Sequence, residues 1–313
     1  MRRVALISLV LALAIAAGSS AGSAPVGTGT ANAAAPAAGT GGTPYREVAP
    51  LRPHQVAQRR PSRGPLLRAF SLNRPHLFLF GHPARVSFRI DSRYRTISVR
   101  LSLLPVASRR AASTITLGQR RTGISQSVLV TGREQGILPQ GRYRLRISAR
   151  DRRGRGLRRP PRISAETALS FFHYRFPLVG PFSFGGPDGR FGAPRVGHIH
   201  QGQDVIAAQG TPIVAPRGGV IEVVAYQAGG AGYYVVLHGA LEDRHYVFMH
   251  LAAGSTRVRV GQRVRTGQRI GDVGATGNAS GPHLHFEVWV GGWFSGGHPI
   301  DPLPLLQRWA SWS

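Results

Sequence analysis

In the second half of the chain, an imidazole and a carboxylate stand four residues apart in His200-Gln201-Gly202-Gln203-Asp204. Two imidazoles stand two apart in His283-Leu284-His285. Nitrogen and oxygen donors of this kind suit zinc, whose catalytic sites take three protein ligands and keep a further position open. Gly202 is expected to let the backbone bend between the first two donors. Residues i and i+2 of a strand share a face, so His283 and His285 meet one pocket, one as ligand and the other beside it. The chemistry implied is hydrolysis: a metal activates water and polarises a carbonyl. Other groups must then stabilise the oxyanion and protonate the leaving amine. Histidine suits both tasks near neutral pH. His250, after an apolar strand, and the non-ligand member of the His283/His285 pair are the candidates.

These residues need a rigid frame, and the surrounding pattern supplies strands. Pro212–Ala215, Gly219–Ala225, Tyr233–His238, His245–Leu251, Gln268–Val273 and Leu284–Val290 are apolar runs punctuated by glycine. No long amphipathic helix and no internal repeat stands out. Upstream, the period is strictly two. Val86, Phe88 and Ile90 alternate with arginine and serine, as do Ile97, Val99, Leu101 and Leu103. Tyr143, Leu145, Ile147 and Ala149 alternate with Arg142, Arg144, Arg146 and Arg150. Such strands bury one face and wet the other. Turn sequences at Leu138-Pro139-Gln140-Gly141 and Asp151-Arg152-Arg153-Gly154 separate them. The expected architecture is therefore all-β: a small sandwich over 66–165, then a β-rich domain over 166–313, joined by the basic, proline-containing stretch 152–161. The stretch Leu138 to Gly154 loosely resembles the last hairpin of immunoglobulin-like modules.

The first 65 residues read differently. Arg2 and Arg3 precede an apolar run, Val4 to Ala17, and then small residues, the order of a secretory signal peptide over 1–24. The run is short for a membrane span, which takes about 20 apolar residues. Residues 25–65 are rich in Ala, Gly, Thr and Pro and are expected to be a linker with too little apolar surface to offset ordering.

Cysteine is absent among the 313 residues, so any metal must be held by His, Asp or Glu. The formal net charge is +27, and every basic residue is arginine. Residues 1–165 carry 29 Arg against 4 acids; residues 166–313 carry 11 Arg against 9 acids. The charge thus belongs to the front half. A basic surface binds polyanions in general. For an exported protein the expected partner is anionic wall polymer or a membrane surface, and nucleic acid is not expected.

The motifs, taken together and in order, resemble the lysostaphin-like, or LytM-type, zinc endopeptidases. The resemblance rests on His200-x-Gly-x-Asp204, His250-Leu251 and Gly281-Pro282-His283-Leu284-His285-Phe286-Glu287. It extends through Gly210-Thr211-Pro212-Ile213-Val214-Ala215, the paired turns at Gly261 and Gly267, the loop Gly274–Asn278 and Ile300-Asp301-Pro302. It covers about residues 176–303. It implies a compact β-rich peptidase with zinc at the floor of a groove, bound by His200, Asp204 and His285, with His250 and His283 as catalytic histidines. The implied substrate is a peptide stem or cross-bridge of peptidoglycan, cut by a secreted or envelope enzyme of a bacterium. Some positions depart from the family pattern. Phe248 replaces a usual tyrosine, with Tyr246 nearby, and Gln203 replaces an aliphatic residue. His198 reads as a solvent-facing loop residue and His238 as structural. Glu287 is placed to face the same way as His285 and to support it.

Two other functions compete with an active endopeptidase. A catalytically silent relative that activates another wall hydrolase typically loses a zinc ligand, and here every ligand position is filled. A wall-binding structural protein would keep its affinity without residues 166–313; a targeting module ahead of an enzyme would do so too.

Overall fold

A computed structural model describes residues 63–312, apart from Phe294. The signal-peptide expectation and residues 25–62 of the expected linker lie outside the described residues. No helix among the described residues is long and apolar enough to cross a membrane.

Eight strands come first: β1 (Leu66–Leu72), β2 (His76–Phe78), β3 (Ala84–Asp91), β4 (Thr96–Pro105), β5 (Ser113–Arg121), β6 (Ser125–Val130), β7 (Gly141–Arg150) and β8 (Glu166–Phe172). They form a three-stranded sheet, β1-β3-β6, and a five-stranded sheet, β2-β8-β7-β4-β5. The alternation read from sequence is what closes them over one core. Val86, Phe88, Ile90, Val99, Leu101, Leu103, Tyr143, Leu145 and Ile147 are all buried there, while the intervening residues of β3, β4 and β7 stay at least partly exposed. The edge strand β2 runs parallel to β8, and the Tyr143 hydroxyl at the start of β7 donates to the Pro139 carbonyl at 2.6 Å.

One boundary falls elsewhere than the sequence suggested. β8 pairs with β7 from Arg146↔Glu166 to Gly141↔Phe171, so residues 166–172 belong to the first core. The basic stretch 152–161 is a loop within that sheet. It is tied down by Asp151, which pairs with Arg155 at 2.7 Å and accepts from the Arg153 amide.

The second half has its own core and one main sheet. Its elements are the short strands β9 (Pro194–Arg195) and β10 (His198–Ile199), then β11 (Gln203–Ile206), β12 (Pro212–Val214), β13 (Gly219–Gln227), β14 (Gly232–Gly239), β15 (Arg244–Leu251), β16 (Arg263–Val264), β17 (Arg269–Asp272), β18 (His283–Val290), β19 (His298–Ile300) and helix α1 (Leu303–Ala310). The seven-stranded sheet runs β11-β18-β15-β14-β13-β16, with β19 beside β18. Every strand expected from sequence is present. The eight-residue helix α1 was not foreseen; it drives Leu306 and Trp309 into the core.

The two faces of this sheet differ. On one, Tyr246, Phe248, Leu284, Phe286 and Val288 are fully buried in the main core. On the other, Val236, Val247 and Trp289 form a smaller cluster with Tyr234, Met249 and Trp293. His245, Met249, His283, His285 and Glu287 have the register of that second face.

The described residues fall within one compact unit. The loop after β2 contributes: the guanidinium of Arg217 lies 5.1 Å from the Phe80 ring centroid and the Thr266 hydroxyl donates to the Leu79 carbonyl, while at the end of β8 Phe172 stacks on Trp312 at 5.2 Å.

Candidate metal centre

Two strand pairings bring the ligand candidates together. β11 lies against β18 with Asp204 opposite His285, and β15 lies against β18 with Met249 opposite His285. Asp204 and His285 are therefore neighbours by register, and His200 arrives from the chain just before β11. Its Nε2 lies 3.1 Å from Asp204 Oδ1 and 2.8 Å from His285 Nδ1; His285 Nδ1 is 3.0 Å from the same oxygen. Gly202 makes this possible by its size. It does not adopt a left-handed conformation, and a Cβ there would lie 2.6 Å from the Phe286 carbonyl and 2.8 Å from His285 Nε2. The expected bend is replaced by a need for close approach.

Each imidazole is oriented by an acceptor on its far side. His200 Nδ1 donates to the Arg190 carbonyl at 2.8 Å, His250 Nδ1 to the Thr276 carbonyl at 2.8 Å, and His283 Nδ1 to the Gly281 carbonyl at 2.8 Å. His285 Nε2 lies 3.0 Å from Glu287 Oε1, whose other oxygen accepts from the Trp289 indole at 2.7 Å. A carbonyl can only accept, so it fixes the proton on the nitrogen it meets. The other ring nitrogens of His200 and His285, Nε2 and Nδ1, turn to the interior toward Asp204 Oδ1. His283 Nε2 is 3.6 Å from Asp204 Oδ1, and the His250 and His283 ring centroids are 4.7 Å apart.

His250 is held at a cost. Its φ is +63°, in the left-handed region that non-glycine residues rarely enter. Its amide donates to the Ala231 carbonyl. Its ring is pinned by Thr276, whose hydroxyl donates to Leu251 and accepts from the Tyr233 amide. Gly277 follows with φ +73°, where a Cβ would collide with the backbone of Gly230 and Gly232.

The electrostatics are those of a cation site. Burial opposes ionisation of Asp204, but hydrogen bonds from His200 and His285 outweigh it and hold the carboxyl well below the usual range. Burial likewise opposes charge on His285, yet Asp204 and Glu287 push it up to about 9. The surroundings that would keep a proton there would also keep a metal ion, which displaces the proton on binding. His250 goes the other way: burial, aided by the two nearby histidines and opposed by the Thr276 contact, pushes it down to about 4. Three convergent donors with oriented far nitrogens and two carboxylates match what a zinc site asks for.

Sequence reasoning missed Arg195, which lies 3.4 Å from Asp204 Oδ2 and donates to the Asp188 carbonyl. It thus leaves Oδ1 to face the three histidines. Nothing in the local spacing marks Arg195, because the β9–β10 hairpin delivers it. Tyr246 does not stand in for the absent tyrosine. Its hydroxyl donates to Glu242 at 2.8 Å and its ring lies in the main core beside Phe248. Gln203 is fully buried and donates to the carbonyls of Phe184 and Asp204. His198 is exposed and lies outside the cluster.

Residues 198–302 match the family described as "Peptidase family M23". Among curated relatives, an uncharacterised metalloprotease of Haemophilus influenzae is 48% identical over 115 residues, 36% of this chain and 22% of that protein. A peptidoglycan DD-endopeptidase of Vibrio cholerae, ShyC, is 39% identical over 116 residues, 36% of this chain and 26% of that protein. The chain thus spans about a quarter of the length of these relatives. The solved catalytic domain of lysostaphin from Staphylococcus simulans is 31% identical, with 41% of this chain and 92% of that one covered, at a TM-score of 0.35. The matched segment contains all five residues singled out from the sequence, and residues 198–302 are a lysostaphin-like domain of peptidase family M23.

Proposed function

We propose that this protein is an exported, zinc-dependent endopeptidase that cleaves peptide bonds in peptidoglycan stems or cross-bridges. The observation that carries it is the convergence of three imidazoles, His200, His283 and His285, each with its far nitrogen already engaged, on the single oxygen Asp204 Oδ1, with His250 beside His283. In this reading His200, Asp204 and His285 hold the metal. Zinc held there would activate water and polarise the scissile carbonyl. His250 and His283 face the same space with free Nε2 atoms and are placed to take a proton from the attacking water and to give one to the leaving amine. Glu287 and Arg195 fix the orientations of His285 and Asp204. Peptidoglycan as substrate is supported by relatives described as peptidoglycan DD-endopeptidases.

The arginines of β7 give the front sandwich a second role in this reading. Arg142, Arg144, Arg146 and Arg150 alternate with buried residues and so share the outer face, where Glu166 pairs with Arg146 at 2.6 Å and with Arg144 at 3.7 Å. That face suits an anionic wall polymer or membrane surface and would raise the local concentration of substrate. Export rests on the N-terminal sequence pattern.

The test is zinc content and digestion of purified peptidoglycan by the full chain, before and after chelation. Zinc-dependent release of muropeptides is expected. Chelation without effect on release would exclude the metal mechanism.

A further inference from the structure

Away from the catalytic residues, Glu222, His238 and His245 present one ligand atom each, all within 4.8 Å of one another. We propose that they form a second metal site, for a divalent transition-metal ion of zinc type, that pins β13, β14 and β15 together. His238 and His245 are directly opposite in the β14–β15 pairing. Glu222 joins them through an irregularity in β13: the register with β14 slips between Ile221 and Val223. Ile221 belongs to the main core and Val223 packs on the smaller cluster, so the extra residue Glu222 falls where it reaches across to both histidines. A bulge that re-aims a side chain in this way is a device common at functional positions.

The contacts are convergent. Glu222 Oε1 is 3.3 Å from His238 Nδ1 and Oε2 is 3.0 Å from His245 Nε2, and the two rings lie 4.5 Å apart. Two imidazoles and a carboxylate are a zinc-type donor set. Glu222 and His238 are each more than two-fifths exposed, which gives an ion a way in, while the side chain of His245 is nine-tenths buried. His245 Nδ1 is buried without a hydrogen-bond partner among the described residues. An apolar side chain beside Trp289 and Val247 would avoid that cost, so the imidazole is explained by what its Nε2 binds. The position is separate from the catalytic centre: His245 is opposite Trp289, four residues along β18 from His285, roughly 13 Å at the rise of a strand.

The experiment is zinc binding to the full chain, by equilibrium dialysis against buffered Zn2+, for wild type, His238→Ala, Glu222→Gln and Asp204→Ala, with circular dichroism to confirm folding. Two zinc ions per chain are expected in wild type and one in His238→Ala, with at least tenfold weaker second-site binding in Glu222→Gln. Asp204→Ala should keep the second ion and show a zinc-dependent rise in melting temperature that the added His238→Ala change abolishes. One ion in wild type, or a second ion indifferent to His238→Ala, overturns the proposal. A second ion lost with His238 while Asp204→Ala loses none would count against the catalytic ligand set and leave this site standing.

Discussion

The front sandwich and the seven-stranded sheet obey the same alternation, yet their polar positions carry opposite kinds of charge. In β7 every outward position but Ser148 is arginine, a strongly basic strand face, relieved by Glu166 of β8, that can attract a polyanion. In β18 the corresponding positions are His283, His285, Glu287 and Trp289, mixed in chemical type and enclosed by β11 and β15. Enclosure makes the difference. Exposed charges are screened by water, whereas Asp204, His250 and His285 are shifted in different directions by burial and by one another. In the proposed reading, chemistry is assigned to the buried groups of unlike sign and adhesion to the exposed arginines.

The comparison can be broken most decisively at His285. His285→Ala should remove bound zinc at the catalytic centre and reduce peptidoglycan cleavage to background, a loss of about 10³-fold or more, as expected when metal-assisted hydrolysis is lost; metal analysis and turnover check this together. In the front half, Leu101→Ala should cost about 2–5 kcal/mol in denaturant unfolding, the price of a cavity in a closed core. Cleavage per folded molecule should be unchanged. Glu287→Gln sharpens the account. It keeps the shape but weakens the acceptor on His285 Nε2, and should lower zinc affinity about 10–100-fold in a competition titration. Replacing Arg142 and Arg146 by Ser should weaken sedimentation with intact walls and flatten its salt dependence, with hydrolysis of a soluble peptide substrate unaffected.

The smallest effect belongs to an exposed pair. Arg68, helped by Arg89 and opposed by slight burial, holds the Asp91 carboxyl below its usual range. A depressed folded-state value means that this contribution is present at neutral pH and disappears as the pH falls below about 3.8, the ordinary value for the group. With the carboxylate a third exposed, Asp91→Asn should cost under about 1 kcal/mol, and less in high salt.

Much of this was legible in the sequence because it is periodic or motif-bound. Alternation located β3, β4 and β7, apolar runs punctuated by glycine located β15 and its neighbours, and His-x-His on a strand fixed the common face of His283 and His285. What escaped depends on which chain segments meet. Arg195 reaches Asp204 only through the hairpin, and β8 joins the front sheet although a basic, proline-containing loop precedes it. Gly202 was read as a bend when the constraint is the backbone of a neighbouring strand. The meeting of His238 with Glu222 and His245 depends on a bulge and a cross-strand pairing that no local spacing announces.

The most direct test of the account is a digest of purified peptidoglycan by the zinc-loaded full chain, read by mass spectrometry, beside His283→Ala with its zinc content measured. The account predicts new peptide ends with wild type only, at least about 10²-fold fewer with His283→Ala, the scale of a lost proton-transfer group, and equal zinc in both proteins. Cleavage by His283→Ala at the wild-type rate, or no new ends from wild type with zinc bound, would contradict it.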